Sequence, residues 1–208
     1  NYDIFAVPID GSSPPVPLTA NNKAWDATPV FSPQGRLAYL AMSRPGYEAD
    51  RYQIIVKASP AANNVSISKD WDRPPGAIAW SADESAIYAV AGNLGQQSLF
   101  EVNVATTFVK TILQEGNISA IDVAEDRIVF LMDHLKSPSE LYTIKPDGSE
   151  LKQITNINQE KIAAARMGDY EQFNFKGWRD ETVYGYVVKP ADFDPAKKYP
   201  VAFLIHGG

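Results

Sequence analysis

The sequence predicts a mostly β fold: the later blades of a β-propeller over residues 1–165, followed by the first strands of an α/β domain over 166–208. Three observations carry this. Strand-like pieces recur, Ile4-Phe5-Ala6-Val7, Ile54-Ile55-Val56, Leu99-Phe100-Glu101-Val102 and Leu141-Tyr142-Thr143-Ile144, at a spacing of roughly 40–50 residues that matches propeller blades. A hairpin unit recurs between them: Phe31-Ser32-Pro33-Gln34-Gly35 before Leu37-Ala38-Tyr39, Trp80-Ser81-Ala82-Asp83-Glu84 before Ile87-Tyr88, and a worn copy, Val123 to Asp126 before Ile128-Val129-Phe130. Each reads as strand, polar turn, strand. After Ile157 this period stops, and an unbroken apolar run from Val201 to Ile205 leads into His206-Gly207-Gly208.

In chain order, Asp10-Gly11 and Asp147-Gly148 mark tight turns after the recurring strand, and Leu18-Thr19 and Ile154-Thr155 close their units in the same way. A four-stranded blade cannot bury both faces alone, so blades stack around an axis. Phe31, Tyr39, Trp80 and Tyr88 therefore read as packing between blades, with carbohydrate stacking as the other use for such rings. The count comes to three complete blades and the end of another. A closed propeller takes at least about four, so further blades are expected before Asn1.

One loop departs from the repeat. Arg44-Pro45-Gly46-Tyr47-Glu48-Ala49-Asp50-Arg51 turns at Pro-Gly and carries charges of both signs. It reads either as an ion-paired loop tip or as a place where Glu48 or Asp50 holds a cationic group of a substrate, since carboxylates accept charge-assisted hydrogen bonds from an ammonium.

Beyond the repeats, 159–165 has helical character and 166–169 reads as a linker. Three strands are then expected, Tyr170 to Phe175, Val183 to Val188 and Val201 to Ile205. In the second, Val183, Gly185 and Val187 share one face and Tyr184, Tyr186 and Val188 the other, so it reads as an interior strand; the third, apolar throughout, does too. Glycines after a buried strand let the backbone turn sharply and present bare N–H groups that can stabilise an oxyanion.

Totals exclude several classes. A net charge of −6 and the lack of a basic run argue against a nucleic-acid surface. There is no cysteine, hence no disulfide framework or thiol chemistry. His134 and His206 are the two imidazoles, too far apart in sequence to suggest a zinc site, and no cofactor is implied. No apolar segment reaches the ~20 residues of a membrane-spanning helix. Asn64-Val65-Ser66 and Asn117-Ile118-Ser119 are N-glycosylation tripeptides or asparagines in turns; together they suit a secreted protein.

The order of blade repeats, Phe173-Asn174-Phe175-Lys176-Gly177-Trp178-Arg179-Asp180, Val183-Tyr184-Gly185-Tyr186-Val187-Val188-Lys189-Pro190, Tyr199-Pro200 and His206-Gly207-Gly208 resembles the prolyl oligopeptidase family of serine peptidases. It is most similar to the acylaminoacyl-peptidase branch and the secreted fungal dipeptidyl-peptidases V. The charged loop at 44–51 resembles a loop of that branch as well. The resemblance implies that 166–208 opens an α/β-hydrolase domain, that the propeller restricts access, and that oligopeptides are cut near their N-terminus. It places Gly208, with Gly207, in the oxyanion hole and keeps His206 out of the catalytic base role. The nucleophile of that family sits in a Gly-x-Ser-x-Gly elbow, which this sequence lacks, so the Ser, Asp and His are expected beyond Gly208. A carboxylesterase-like hydrolase and a non-catalytic propeller binding module are the other classes. On either reading of a hydrolase, the 208 residues are expected to need the rest of that domain, in the same or a second chain, to fold and act.

Overall fold

The repeated hairpins form, and each is the core of a four-stranded blade. The computed structural model describes residues 2–59 and 62–205, in two units, Asn1–Asn158 and Gln159–Gly208. The first unit opens with a two-stranded piece, β1 (Phe5–Ala6) with β2 (Val16–Pro17). One blade follows, in the order β3 (Asp26–Phe31), β4 (Leu37–Ala41), β5 (Gln53–Lys57) and β6 (Val65–Ser66). The next is β7 (Pro75–Trp80), β8 (Ala86–Asn93), β9 (Gln96–Asn103) and β10 (Val109–Leu113). The last is β11 (Asn117–Ala124), β12 (Arg127–His134), β13 (Ser137–Ile144) and β14 (Lys152–Gln153). All pairings within blades are antiparallel, and one parallel pair, Asn117 with Gln97, links the last two blades.

The recurring strand-like pieces are the third strand of each blade, with β1 standing in that place for the piece before β3. In three of the four the closing contacts repeat atom for atom. The N–H groups of Leu18, Ile67 and Ile154 donate to the carbonyls of Ile4, Ile54 and Leu141 at 2.7, 3.0 and 2.7 Å. In return the Ile4, Ile54 and Leu141 N–H groups donate to the hydroxyls of Thr19, Ser68 and Thr155 at 2.9, 2.8 and 2.8 Å. An apolar residue followed by a hydroxyl residue therefore staples the end of a blade to its third strand. The sequence displays this at Leu18-Thr19 and Ile154-Thr155, and Ile67-Ser68 is the copy that sequence reading passes over.

Burial explains why the second strands β4 and β8 carry apolar residues on both faces. Side chains alternate across a strand, and a blade between two others is covered on both sides. On β4, Ala38 and Leu40 pack with Ile54, Ile78 and Trp80 of the seam towards the next blade. Leu37, Tyr39 and Ala41 pack with Ile4 on the opposite side. On β8, Ile87 and Ala89 face the earlier seam, while Tyr88 and Val90 join Ile118, Ile128 and Phe130 in the later one. Tyr39, Trp80 and Tyr88 are buried between blades as expected. Phe31 is not: it lies at the end of β3 and is 60% exposed. The hairpin turns need a left-handed residue, supplied by Gly35 at φ +83° but by Glu84 at φ +60° in the next blade.

The second unit carries α1 (Gln159–Ala164), a ribbon of β15 (Tyr170–Lys176) with β16 (Thr182–Val188), and a single 3-10 turn, Trp178–Asp180, between the two strands. The α1 segment, grouped with the repeats from sequence, falls in this unit. The ribbon is in unbroken register from Tyr170 opposite Val188 to Lys176 opposite Thr182. Two expectations are corrected here. β16 is not an interior strand, since Val183, Tyr184, Val187 and Val188 are all exposed. Val201–Phe203–Ile205 forms no strand, and Leu204 is 90% exposed. The physical reason is the same for both: a strand is held by ladder partners and buried by layers on its faces. Among the described residues this unit offers only a two-stranded ribbon.

Candidate functional site

Hairpin connections between second and third strands show where the repeat has been interrupted. They span 94–95 in the middle blade and 135–136 in the last, against 42–52 between β4 and β5. The long loop is the charged stretch singled out from sequence, and its geometry sorts the charges by task.

Gly46, at φ +70°, turns the chain, and the Arg44 guanidinium lies 3.8 Å from the Tyr47 ring centroid. Asp50 is the staple of the loop: its Oδ2 accepts the N–H groups of Ser43 and Arg44, both at 2.8 Å. Burial pushes the Asp50 carboxyl up, but hydrogen bonds from the Ser43, Arg44 and Arg51 backbone outweigh it and hold the pKa below the usual range. Asp50 is thus an ionised cap that fixes the loop. Arg51 reaches the connection between blades, donating to the carbonyls of Ser68 at 3.1 Å and Lys69 at 2.8 Å, and to that of Trp71. A planar fork with five donors suits such a cluster of carbonyls.

Glu48 is left. It is exposed, at the tip of a loop braced from both ends, and has no hydrogen-bond or ion-pair partner among the described residues. Of the two carboxylates picked from sequence, the one free to receive a cationic group is therefore Glu48. Sequence alone could not separate them, because the distinction lies in which side chain the turn brings under backbone N–H groups six and seven residues away.

A second carboxylate escaped sequence reading. Asp26, at the start of β3, is 2% exposed. Asn22 Nδ2 donates to its Oδ1 at 2.9 Å, while Oδ2 has no partner among the described residues. Burial raises the Asp26 pKa; hydrogen bonds from Asn22 and Thr19 oppose this and the nearby Asp3 charge adds to it. The same burial, with the Asp26 charge beside it, lifts the Tyr39 hydroxyl to about 12.

Asn64 and Asn117 are both exposed. Asn64 precedes β6, and Asn117 opens β11 with its amide donating to both Asp133 carboxylate oxygens, at 3.0 and 3.2 Å. Gly207 and Gly208, with His206, lie outside the described residues. No group of three or more His, Cys, Asp or Glu side chains able to hold a metal occurs among the described residues. No helix in them is long and apolar enough to cross a membrane.

No family model matches the chain. Relatives are nonetheless clear. It is 31% identical over 221 residues to a probable dipeptidyl-peptidase 5 of Aspergillus niger, covering 99% of this chain and 30% of that protein. It is 33% identical over 179 residues to dipeptidyl-peptidase 5 of Schizosaccharomyces pombe, covering 83% of this chain and 25% of that one. Among solved structures, the Pyrococcus horikoshii acylaminoacyl peptidase superposes with a TM-score of 0.69 at 18% identity, over 90% of this chain and 28% of that one. The β-propeller domain of the Trilobed protease from Pyrococcus furiosus gives 0.56 at 18% identity, over 75% of this chain and 44% of the domain. These likenesses place the stacked blades among peptidase propellers.

Proposed function

From its kinship over nearly its whole length with part of the dipeptidyl-peptidases 5, in the propeller-bearing prolyl oligopeptidase family, we propose that this chain is a segment of a serine exopeptidase. That enzyme removes dipeptides or acylated residues from the N-terminus of oligopeptides. The chain spans about 30% of the length of the Aspergillus niger relative, and the proposal assigns the Ser, His and Asp to the rest of the protein. Residues 166–208 open the α/β-hydrolase domain in this reading, with the backbone N–H groups of Gly207 and Gly208 facing the oxyanion. The blades restrict access by size, admitting short unfolded peptides and excluding folded proteins.

The observation that carries the reading is the sequence identity itself, which crosses the end of the repeats and continues through the second unit. A bare propeller scaffold would have no reason to share that continuation. Glu48 supports it: an uncommitted carboxylate on a rigid loop suits the free ammonium of a peptide N-terminus. Labelling is the test. A fluorophosphonate probe should modify the full-length protein at one serine beyond Gly208, and hydrolysis of a dipeptidyl or acylaminoacyl reporter should disappear with labelling. Folded full-length protein that takes up no probe would refute the assignment.

We further propose that the protein is secreted and carries N-glycans at Asn64 and Asn117, which the exposure of both side chains supports. Material collected from the culture medium of a eukaryotic host should lose mass on endoglycosidase treatment. An unchanged mass would leave both tripeptides as ordinary turn and strand sequence.

A further inference from the structure

The first strands of successive blades are neighbours, with β7 lying against both β3 and β11. Their C-terminal ends enclose a groove of about 690 Å³, within the roughly 300–1,000 Å³ of ligand clefts. Its apolar wall is Phe31, Ile78, Ile121 and Val123, and two carboxylates, Asp122 and Glu125, stand beside them. This is where Phe31 is spent: it is 60% exposed, in a place where blade packing gives no reason for a large ring.

The charge is one-sided. Among the described residues no Lys, Arg or His lines the groove. Asp122 is exposed and accepts the N–H of its own neighbour, Val123, at 2.8 Å. Glu125 is exposed and unpaired among the described residues. Past Val123 and Glu125 the surface stays acidic, with Asp83, Asp126 and Asp147. The cations near it are committed elsewhere, Arg127 and Lys145 to Glu150 and Arg36, which lies over the Trp80 ring, to Glu84. In an antiparallel meander the first and third turns share one end and the second turn the other, so the groove lies at the opposite end of the blades from Glu48.

We propose that this groove binds an oligopeptide segment in which a cationic side chain stands next to an apolar one. The apolar side chain lies against Phe31 and the cation between Asp122 and Glu125. The nature of the ligand, a peptide, rests on the proposed function; the complementarity does not, since an acidic, partly apolar trough repels nucleic acid and acidic peptides alike. The consequence is a preference for basic over acidic peptides.

Binding without turnover tests this. Fluorescence anisotropy of labelled Phe-Lys-Phe-Arg and Phe-Glu-Phe-Glu peptides is titrated with full-length protein, and peptide integrity is checked by mass spectrometry. The basic peptide should bind more tightly, and its advantage should shrink at high salt. Asp122→Asn with Glu125→Gln should weaken the basic peptide roughly three- to tenfold, as two solvent-facing ion pairs would, and leave the acidic one no weaker. Phe31→Ser should weaken both. All three side chains are exposed, so circular dichroism should show unchanged folding. Equal affinity for the two peptides, or basic-peptide affinity unmoved by the double substitution, overturns the proposal. Hydrolysis of a neutral reporter, measured in parallel, reports on the peptidase reading separately, so either can fail alone.

Discussion

Glu84 is predicted to clamp two blades together, and the clamp can be measured. The residue sits in the turn between β7 and β8, 5% exposed. Its Oε1 accepts the N–H of Gln34 in the preceding blade at 2.7 Å, and its Oε2 lies 3.8 Å from Arg36 Nη1. Arg36 also donates to the Glu84 carbonyl at 3.1 Å and lies 4.8 Å from the Trp80 ring centroid. At the 3.8 Å separation of the Glu84–Arg36 pair, Coulomb's law gives about 1 kcal/mol in water and about 4 kcal/mol at an effective dielectric near 20. The Arg36 side chain is 28% exposed, so the pair falls between these limits. A hydrogen bond to a charged group contributes roughly 1.5–3 kcal/mol, but Gln34 is exposed and water can take its N–H once the carboxylate goes. Glu84→Ala should therefore cost about 2–3 kcal/mol in all. Glu84→Gln, which keeps an acceptor and loses the charge, should cost about half of that. Strain does not confuse the comparison, because Ala, Gln and Glu meet the same left-handed backbone. Urea unfolding of the full-length protein, followed by tryptophan fluorescence, is the assay. Crossing Glu84→Ala with Arg36→Ala isolates the pair, since the bond from Arg36 to the Glu84 carbonyl survives the first substitution. A coupling of about 1 kcal/mol is expected, within the ~0.5–3 kcal/mol of contacting pairs. Coupling below about 0.3 kcal/mol would show that the charge pair does not clamp the blades.

Ser68→Ala removes the acceptor of the N–H of fully buried Ile54; a buried donor left unpaired costs about 1–3 kcal/mol, and Ser68→Thr, the residue found at the sister positions 19 and 155, should recover most of it in the same unfolding assay. Asp26 has its pKa raised above 3.8 by burial, so the folded state favours its neutral form. Its contribution is complete below the unfolded pKa and is lost as pH rises through the folded one. Asp26→Asn should then raise the melting temperature at pH 7 more than at pH 4, and an equal change at both would show that Asp26 is not the group responsible. For Glu48, Glu48→Gln should lower kcat/KM on peptides with a free N-terminus about tenfold, the low end for a charged hydrogen bond because the side chain is exposed, and spare N-acylated ones; unaltered values on both would make the loop purely structural.

The blades were legible because a repeated sequence states the same packing problem several times. Alternation on Leu37 to Ala41 and on Ile87 to Val90 is invisible as polarity, since both faces are apolar, yet the recurrence of the surrounding hairpin betrays a strand covered on two sides. The second unit had no such repetition. Val201 to Ile205 carries every local mark of a buried strand, and remains exposed, because burial depends on partners that local sequence does not specify. The same limit hid Asp26, whose environment is assembled from Asn22, Thr19 and Asp3 across a blade seam.

Function in a repeat fold resides where the repeat fails to explain a side chain. Asp50 and Glu48 stand two residues apart and look alike in sequence. Backbone N–H groups claim the first for structure and leave the second with nothing to do inside the fold. Phe31 and Trp80 occupy equivalent places in successive hairpins. Trp80 is buried and its Nε1 donates to the Val30 carbonyl at 3.3 Å, whereas Phe31 faces an acidic groove. In each pair the described blades account for one member, and the other is the residue that the two peptide proposals above put to the test.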